Sequence, residues 1–283
     1  MELVFAAICP HPPLIIPTIG RPANLKLVSK TTEGMKKLAG KFAEAKPETI
    51  IVISPHGQID TNNFTISKSQ TLTGNFRHFG DPETKLVFEN DQNLIEEIKE
   101  ECEKIGTPLK LIEEEELDHG SLVPLYYLIK ESPTPLYYVV KGNPNVKVVP
   151  LTISYLSIED HFKFGKILNK VIKEKEQKTK IGIIASGDLS HRLTSDAPAG
   201  FSPQGKKFDE EIVRLLKTRN TEGILNLDPN LVEEAGECGY RPILVLLGAL
   251  DGLYWQPEIL SYEGPFGVGY LVAHFKIKSH EKL

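Results

Sequence analysis

Thr49-Ile50-Ile51-Val52-Ile53-Ser54-Pro55-His56-Gly57 is the stretch on which the reading of the fold turns. Thr49–Ile53 is β-branched throughout, with no alternation of apolar and polar residues. A strand with one wet face alternates; a continuous run is buried on both faces, as in parallel or mixed sheets covered by helices. The run breaks at Pro55, which sets His56 beside a glycine just past the carboxyl end of the strand. In open α/β sheets, ligands bind outside that end.

Working outward, Leu3–Ile8, Leu136–Val140, Val146–Ile153 and Ile181–Ala185 have the same character. Amphipathic stretches lie between them. Asn93 to Ile105 puts Leu94, Ile98, Cys102 and Ile105 on one stripe. Ser157 with Asp160 three residues on resembles a capping box, though Asp stands where Glu or Gln is usual, and opens a helix through Phe164, Ile167, Leu168 and Val171. Lys206 to Lys217 forms a third helix and the apolar Pro242 to Leu250 a core helix. Asn63–Lys68 and Gln70–Phe76 read as a pair of short, polar edge strands, and Phe266–Ile277 as a final strand near a sheet edge. The pattern predicts a layered α/β/α architecture around a central mixed, largely parallel sheet, in a single domain over 1–283. Gly187 to Gly205, rich in Ser, Pro and Gly, is expected as a long loop over the site.

The chain's 283 residues are 40% hydrophobic and 25% charged, which suits a globular protein with a substantial core. A net charge of −5 makes no electrostatic case for nucleic acid, so a small molecule or another protein is the expected partner. Three cysteines without a CxxC pair point to a reduced compartment. The N-terminus lacks the basic segment of a signal peptide, and no run approaches the ~18 apolar residues of a membrane span, so a cytoplasmic location with no membrane is expected.

Four of the eight histidines sit in short turn-like motifs: Cys9-Pro10-His11-Pro12-Pro13, Ser54-Pro55-His56-Gly57, Asp118-His119-Gly120 and Ser186-Gly187-Asp188-Leu189-Ser190-His191. Imidazole is the commonest metal ligand and titrates near neutral pH. His11 and His56 repeat the order strand, Pro, His; a turn has use for Pro and Gly but no need of His twice. These two are candidate ligands. His119 follows an aspartate that could orient it. His191 stands three residues after Asp188, whose side chain could shape the turn, and is a candidate general acid–base. Glu237 and Cys238 precede the apolar core helix, and either could complete a metal site. Two histidines and a carboxylate form the facial triad of non-heme Fe(II) oxygenases. His78, His161, His274 and His280 lack such contexts and are expected to be surface or structural. GxGxxG after the first strand, GxxxxGK[ST], HExxH and GxSxG are all missing.

With these residues assembled, the chain resembles the extradiol ring-cleavage dioxygenases of the protocatechuate 4,5-dioxygenase catalytic-subunit type, from Cys9-Pro10-His11 to Gly239–Leu250. The resemblance implies Fe(II) bound by His11, His56 and Glu237, with His119 and His191 as acid–base residues. It implies a small aromatic diol and O2 as substrates, and leaves room for a homo-oligomer or a small partner subunit. Zinc could occupy the site in isolated protein. The chain is also similar to the Memo-like branch of the same superfamily, through Ser186 to His191 and Cys238-Gly239-Tyr240-Arg241-Pro242-Ile243. In that branch a cysteine replaces the carboxylate. The third ligand is therefore Glu237 or Cys238, and the alternatives to a dioxygenase are a metal-binding accessory protein and a zinc-dependent hydrolase.

Overall fold

The uninterrupted apolar strands serve two cores, one on each face of a single sheet. In β1 (Glu2–Cys9), Leu3, Ala6 and Ile8 face one core while Phe5, Ala7 and Cys9 face the other. In β2 (Thr49–Ser54), Ile51 and Ile53 divide from Ile50 and Val52 in the same way. The period of two is present but hidden, because both faces are covered and both sets are apolar. In β1 it holds from Phe5 onward, and a register shift between Leu3 and Phe5 brings Leu3 to the face of Ala6. The computed structural model describes residues 1–130, 146–174 and 179–278. The expected strand at Leu136–Val140 and His280 lie outside the described residues.

The other elements are α1 (Pro22–Leu27), α2 (Ser29–Ala45), β3 (Phe64–Ser67), β4 (Thr71–Phe76), β5 (Asp81–Glu89), α3 (Gln92–Ile105), β6 (Leu109–Ile112), α4 (His119–Lys130), β7 (Lys147–Thr152), α5 (Ile158–Glu174), β8 (Lys180–Ser186), α6 (Pro203–Lys217), α7 (Thr221–Leu225), α8 (Pro229–Ala235), α9 (Tyr240–Ala249), β9 (Tyr254–Glu263) and β10 (Tyr270–Lys278). The main sheet runs β6-β3-β7-β2-β8-β1-β10-β9. Its centre, β7-β2-β8-β1, is parallel; β3, β10 and β9 join through antiparallel pairs. Helices α3, α5, α6 and α9 cover one face, and α2 and α4 the other. This is the layered, largely parallel α/β architecture expected.

The helix starts follow from local chemistry. Ser157 and Asp160 form the reciprocal cap at α5: Asp160 N–H donates to Ser157 Oγ at 3.1 Å and Ser157 N–H to Asp160 Oδ2 at 3.3 Å. Ser202 caps α6 with Pro203 at its first position, so that helix begins three residues before Lys206.

One sequence expectation is corrected. Asn63–Lys68 and Gln70–Phe76 do not pair with each other. β3 lies inside the main sheet between β6 and β7, and β4 pairs with β5 in a separate two-stranded sheet. The hydroxyls of β3 made it look exposed. They are buried because Thr65 Oγ1 donates to Gln58 O and Ser67 Oγ to Glu114 O. The final strand, β10, lies near the sheet edge as expected, one in from β9.

Because β1, β8 and β2 are parallel, their carboxyl ends share one edge. Cys9 is level with Ser186, and Ala185 with Ile53. The loops carrying His11, His56 and Gly187–His191 leave from that edge.

Candidate metal centre

His11 follows β1 in a loop stiffened by Pro10, Pro12 and Pro13, and is only 2% exposed. Its backbone N–H donates to Asp188 Oδ1 at 3.0 Å, and its Nδ1 lies 3.0 Å from Ser186 Oγ. Its Nε2 lies 3.0 Å from Nε2 of His56. His56 follows β2 at the exposed rim, with its backbone N–H donating to Ser54 Oγ at 3.2 Å. His119 is the first residue of α4. Its ring stacks on His56 (centroids 4.5 Å apart, planes at 21°) and stands edge-on to His11 at 5.4 Å. One ligating nitrogen from each of the three lies within 4.8 Å of the others.

Helix α4 begins where it does because Asp118 holds it there. That carboxylate accepts from Ser121 N–H at 3.2 Å and Ser121 Oγ at 3.0 Å, a capping arrangement. It also accepts from Ser54 Oγ at 2.6 Å, which fastens the helix to the end of β2. The helix approaches so closely that a Cβ on Gly120 would lie 2.5 Å from Ser54 Oγ.

A second close approach brings up the other members. A Cβ on Gly187 would lie 2.2 Å from Gly239 Cα. With glycine at both positions, Asp188 O accepts from Gly239 N–H at 2.9 Å and Cys238 N–H at 3.3 Å. Cys238 Sγ thereby comes within 3.6 Å of His11 Nε2. His191, half-buried, places Nδ1 2.7 Å from Gly236 O. Its loop is pinned by Ser190, whose N–H donates to Asp209 Oδ1 and whose Oγ donates to Ala235 O. Glu237 turns the other way: Oε2 accepts from Tyr240 N–H at 2.5 Å, at the start of α9. There it lines a separate cavity of about 490 Å³ with Ile158, Leu225, Val232 and Arg241.

The structure therefore groups His119 with His11 and His56, where the sequence pattern pairs it with His191. It sets Cys238, not Glu237, beside the ligating nitrogens. Ser54 and Ser186 escape a reading of the sequence. Their signal is a hydroxyl closing an otherwise apolar strand, immediately before a loop that carries a charged or ligating residue. Asp188, expected as a turn-shaping residue, holds the His11 backbone.

Burial pulls the pKa of His11 well below its ordinary value, and His56, His119 and His191 lower it further. Burial and then His119 bring His56 down to about 4, against the opposing pull of Asp118. His119 and His191 are also lowered by burial. All four are neutral at pH 7, which is the form that ligates. Burial, and then Asp188, raise the Cys238 thiol well above its ordinary range. Burial pushes Asp188 up to about 7. Three neutral imidazoles whose nitrogens converge, with a carboxyl and a thiol alongside, fit a divalent transition metal, and a cation there would reverse these shifts.

The family described as the catalytic LigB subunit of aromatic ring-opening dioxygenase matches residues 5–273. Protein CA_C1420 of Clostridium acetobutylicum is 36% identical over 281 residues, covering 96% of this chain; the chain spans 57% of that relative's length. The crystal structure of the uncharacterized protein JW3007 from Escherichia coli K12 shares the fold, with a TM-score of 0.64 at 20% identity, over 96% of this chain and 99% of that one. No helix among the described residues is long and apolar enough to cross a membrane.

Proposed function

The chain belongs to the family of the catalytic LigB subunit of aromatic ring-opening dioxygenase, and from that premise we propose that it is a non-heme Fe(II) enzyme that opens a catechol-type ring beside its diol with O2. The observation that carries the reading is the convergence of His11, His56 and His119 at the carboxyl edge of the parallel strands.

His11, His56 and His119 would hold the ion, and Fe(II) would supply there a place where diol and O2 meet and electrons pass between them. The proline-stiffened loop and the capped start of α4 hold two of the three imidazoles in position before any metal arrives. His191 is the base. Gly236 O has no hydrogen to give, so His191 Nδ1 carries the proton at 2.7 Å and Nε2 keeps its lone pair. That lone pair takes a proton from the diol, and the imidazolium returns one later in the cycle. The ring of Phe79, 40% exposed and 5.4 Å from the His119 ring, offers an apolar wall for a planar substrate.

The test is anaerobic iron loading followed by oxygen uptake on a panel of catechols. His11→Ala, His56→Ala and His119→Ala lose iron. His191→Ala keeps it and turns over roughly 10²–10⁴-fold more slowly. Undiminished turnover by metal-free His11→Ala protein would sink the proposal.

The position of Cys238 favours a second reading. With the thiolate on the ion, the donor set becomes the closed four-ligand kind that zinc occupies structurally. The protein would then hold a metal without oxygenase chemistry, and catechols would neither colour the loaded protein nor drive oxygen uptake.

A further inference from the structure

We propose that Ser186 is a positioning residue that sets the tautomer of His11, fixing its proton on Nδ1 and turning the Nε2 lone pair into the centre; the inference rests on the metal reading above. Three elements meet at the Ser186 hydroxyl, which is fully buried at the end of β8. Its Oγ lies 3.0 Å from His11 Nδ1, in the loop after β1, and 2.5 Å from Gly120 O, in the first turn of α4.

A hydroxyl has one proton. Gly120 O has none, so an oxygen–oxygen contact of 2.5 Å requires that the serine proton lie between them. Ser186 Oγ is left with lone pairs only, and His11 Nδ1 must donate to it. A neutral imidazole with its proton on Nδ1 has its lone pair on Nε2, the atom 3.0 Å from His56 Nε2 and 3.6 Å from Cys238 Sγ. Full burial of the hydroxyl shields both bonds from competition by bulk solvent.

Gly120 O is free to receive the serine proton for a reason written in α4. Its helical partner four residues on would be the N–H of residue 124, and residue 124 is proline. Pro124 leaves the carbonyl unclaimed, Ser186 claims it, and the direction of that bond dictates the direction of the next. Ser54 offers a contrast at the neighbouring strand end. It donates to Asp118 Oδ1 and accepts from the His56 backbone N–H, so its bonds there go to a carboxylate and to the main chain. Ser54 ties the backbone; Ser186 orients a ligand.

The experiment is long-range ¹⁵N–¹H NMR of histidine-labelled, metal-free protein, with zinc affinity measured in parallel. The Nδ1–H form of His11 is expected in the wild type. Ser186→Ala should lose that preference and weaken zinc binding by roughly 10–100-fold, the usual cost of losing an outer-shell partner. Ser186→Thr, which keeps the hydroxyl, should restore both; Ser54→Ala should leave the His11 tautomer unchanged. An Nε2–H form of His11 in the wild type overturns the inference, as does zinc binding by folded Ser186→Ala at wild-type strength. The wild-type tautomer decides the matter even if Ser186→Ala does not fold. Protein that shows the Nδ1–H form yet binds no metal keeps the inference about the ring and removes the metal reading.

Discussion

Metal affinity across pH separates the candidate donor sets, because each releases a different number of protons. Three imidazoles at their ordinary 6.5 would be protonated about ten to one at pH 5.5, weakening binding by about a factor of ten each, about 10³ together. The cluster here escapes most of that loss: His56 titrates at about 4, and His11 and His119 are lowered by burial. Above 6.5 all three are already neutral and release nothing. The imidazoles themselves therefore add little pH dependence above neutrality, where what remains is the ionisation of water on the open position of the ion. A Cys238 thiolate gives a different curve. Its thiol starts from 9.0 and is raised by burial and Asp188, so ligation at pH 7 costs at least about 2.7 kcal/mol in deprotonation. Affinity would then rise tenfold per pH unit up to and beyond 9. Glu237, at about 7, would give a rise that levels off above neutrality. The assay is calorimetric titration with zinc at several pH values, each in two buffers of different ionisation enthalpy, which counts protons directly. The same proton count and the same pH profile are expected for wild type and Cys238→Ala, since the imidazoles release nothing and any proton comes from outside the thiol. A proton per ion at pH 8 that disappears in Cys238→Ala would refute the three-imidazole set, because water on an open three-histidine zinc site also ionises at about pH 7 and is counted in both proteins. It would put Cys238 on the metal and remove a position that diol and O2 need.

Three further outcomes are expected. Glu237→Gln should leave zinc affinity unchanged and cost at most about 1–2 kcal/mol, since its carboxylate serves Tyr240 N–H at the start of α9; urea melts and the same titration check this. His161, fully buried, donates from Nδ1 to Ser157 O, accepts at Nε2 from Ser154 N–H and titrates at about 4. Its folded pKa lies below the unfolded 6.5, so the unfolded chain takes the proton first; stability is full above 6.5 and falls by about 3 kcal/mol as pH drops to about 4. His161→Gln should lose correspondingly less between pH 7 and 4.5 in urea melts, and an identical loss would show that His161 does not titrate this way. Gly187→Ala must push apart a pair of backbones that leave no room for a Cβ, costing about 1–3 kcal/mol and drawing Cys238 away from His11. An unchanged melting temperature would show that the loops yield freely.

The parallel centre of the sheet was legible because burial on both faces removes the polar positions from a strand, as in Thr49–Ile53 and Ile181–Ala185. β3 was misplaced by the same logic run backwards. Its Thr65 and Ser67 looked wet, but their hydroxyls find carbonyls at Gln58 and Glu114, residues no local pattern connects to them. Ser157 with Asp160 was readable because both partners of a cap lie within one turn. The rule is one of range: bonds closed within four residues leave a sequence signature, and bonds closed across the fold do not.

The centre divides along the same line. His11 and His56 announced themselves because each loop carries its own stiffening residues and its own strand end. Glu237 and Cys238 could not be told apart, because which of two adjacent side chains faces His11 depends on the close passage of Gly187 over Gly239, from segments some fifty residues apart. His119 was separated from its fellows because its place depends on Asp118 reaching Ser54, sixty-four residues back. Pro124 is the sharpest case. Inside a helix a proline reads as a defect; here the carbonyl it leaves unclaimed draws the serine proton that orients His11. A local rule broken without local compensation marks the point where a distant segment supplies the missing partner, and at this sheet edge that partner belongs to the centre itself.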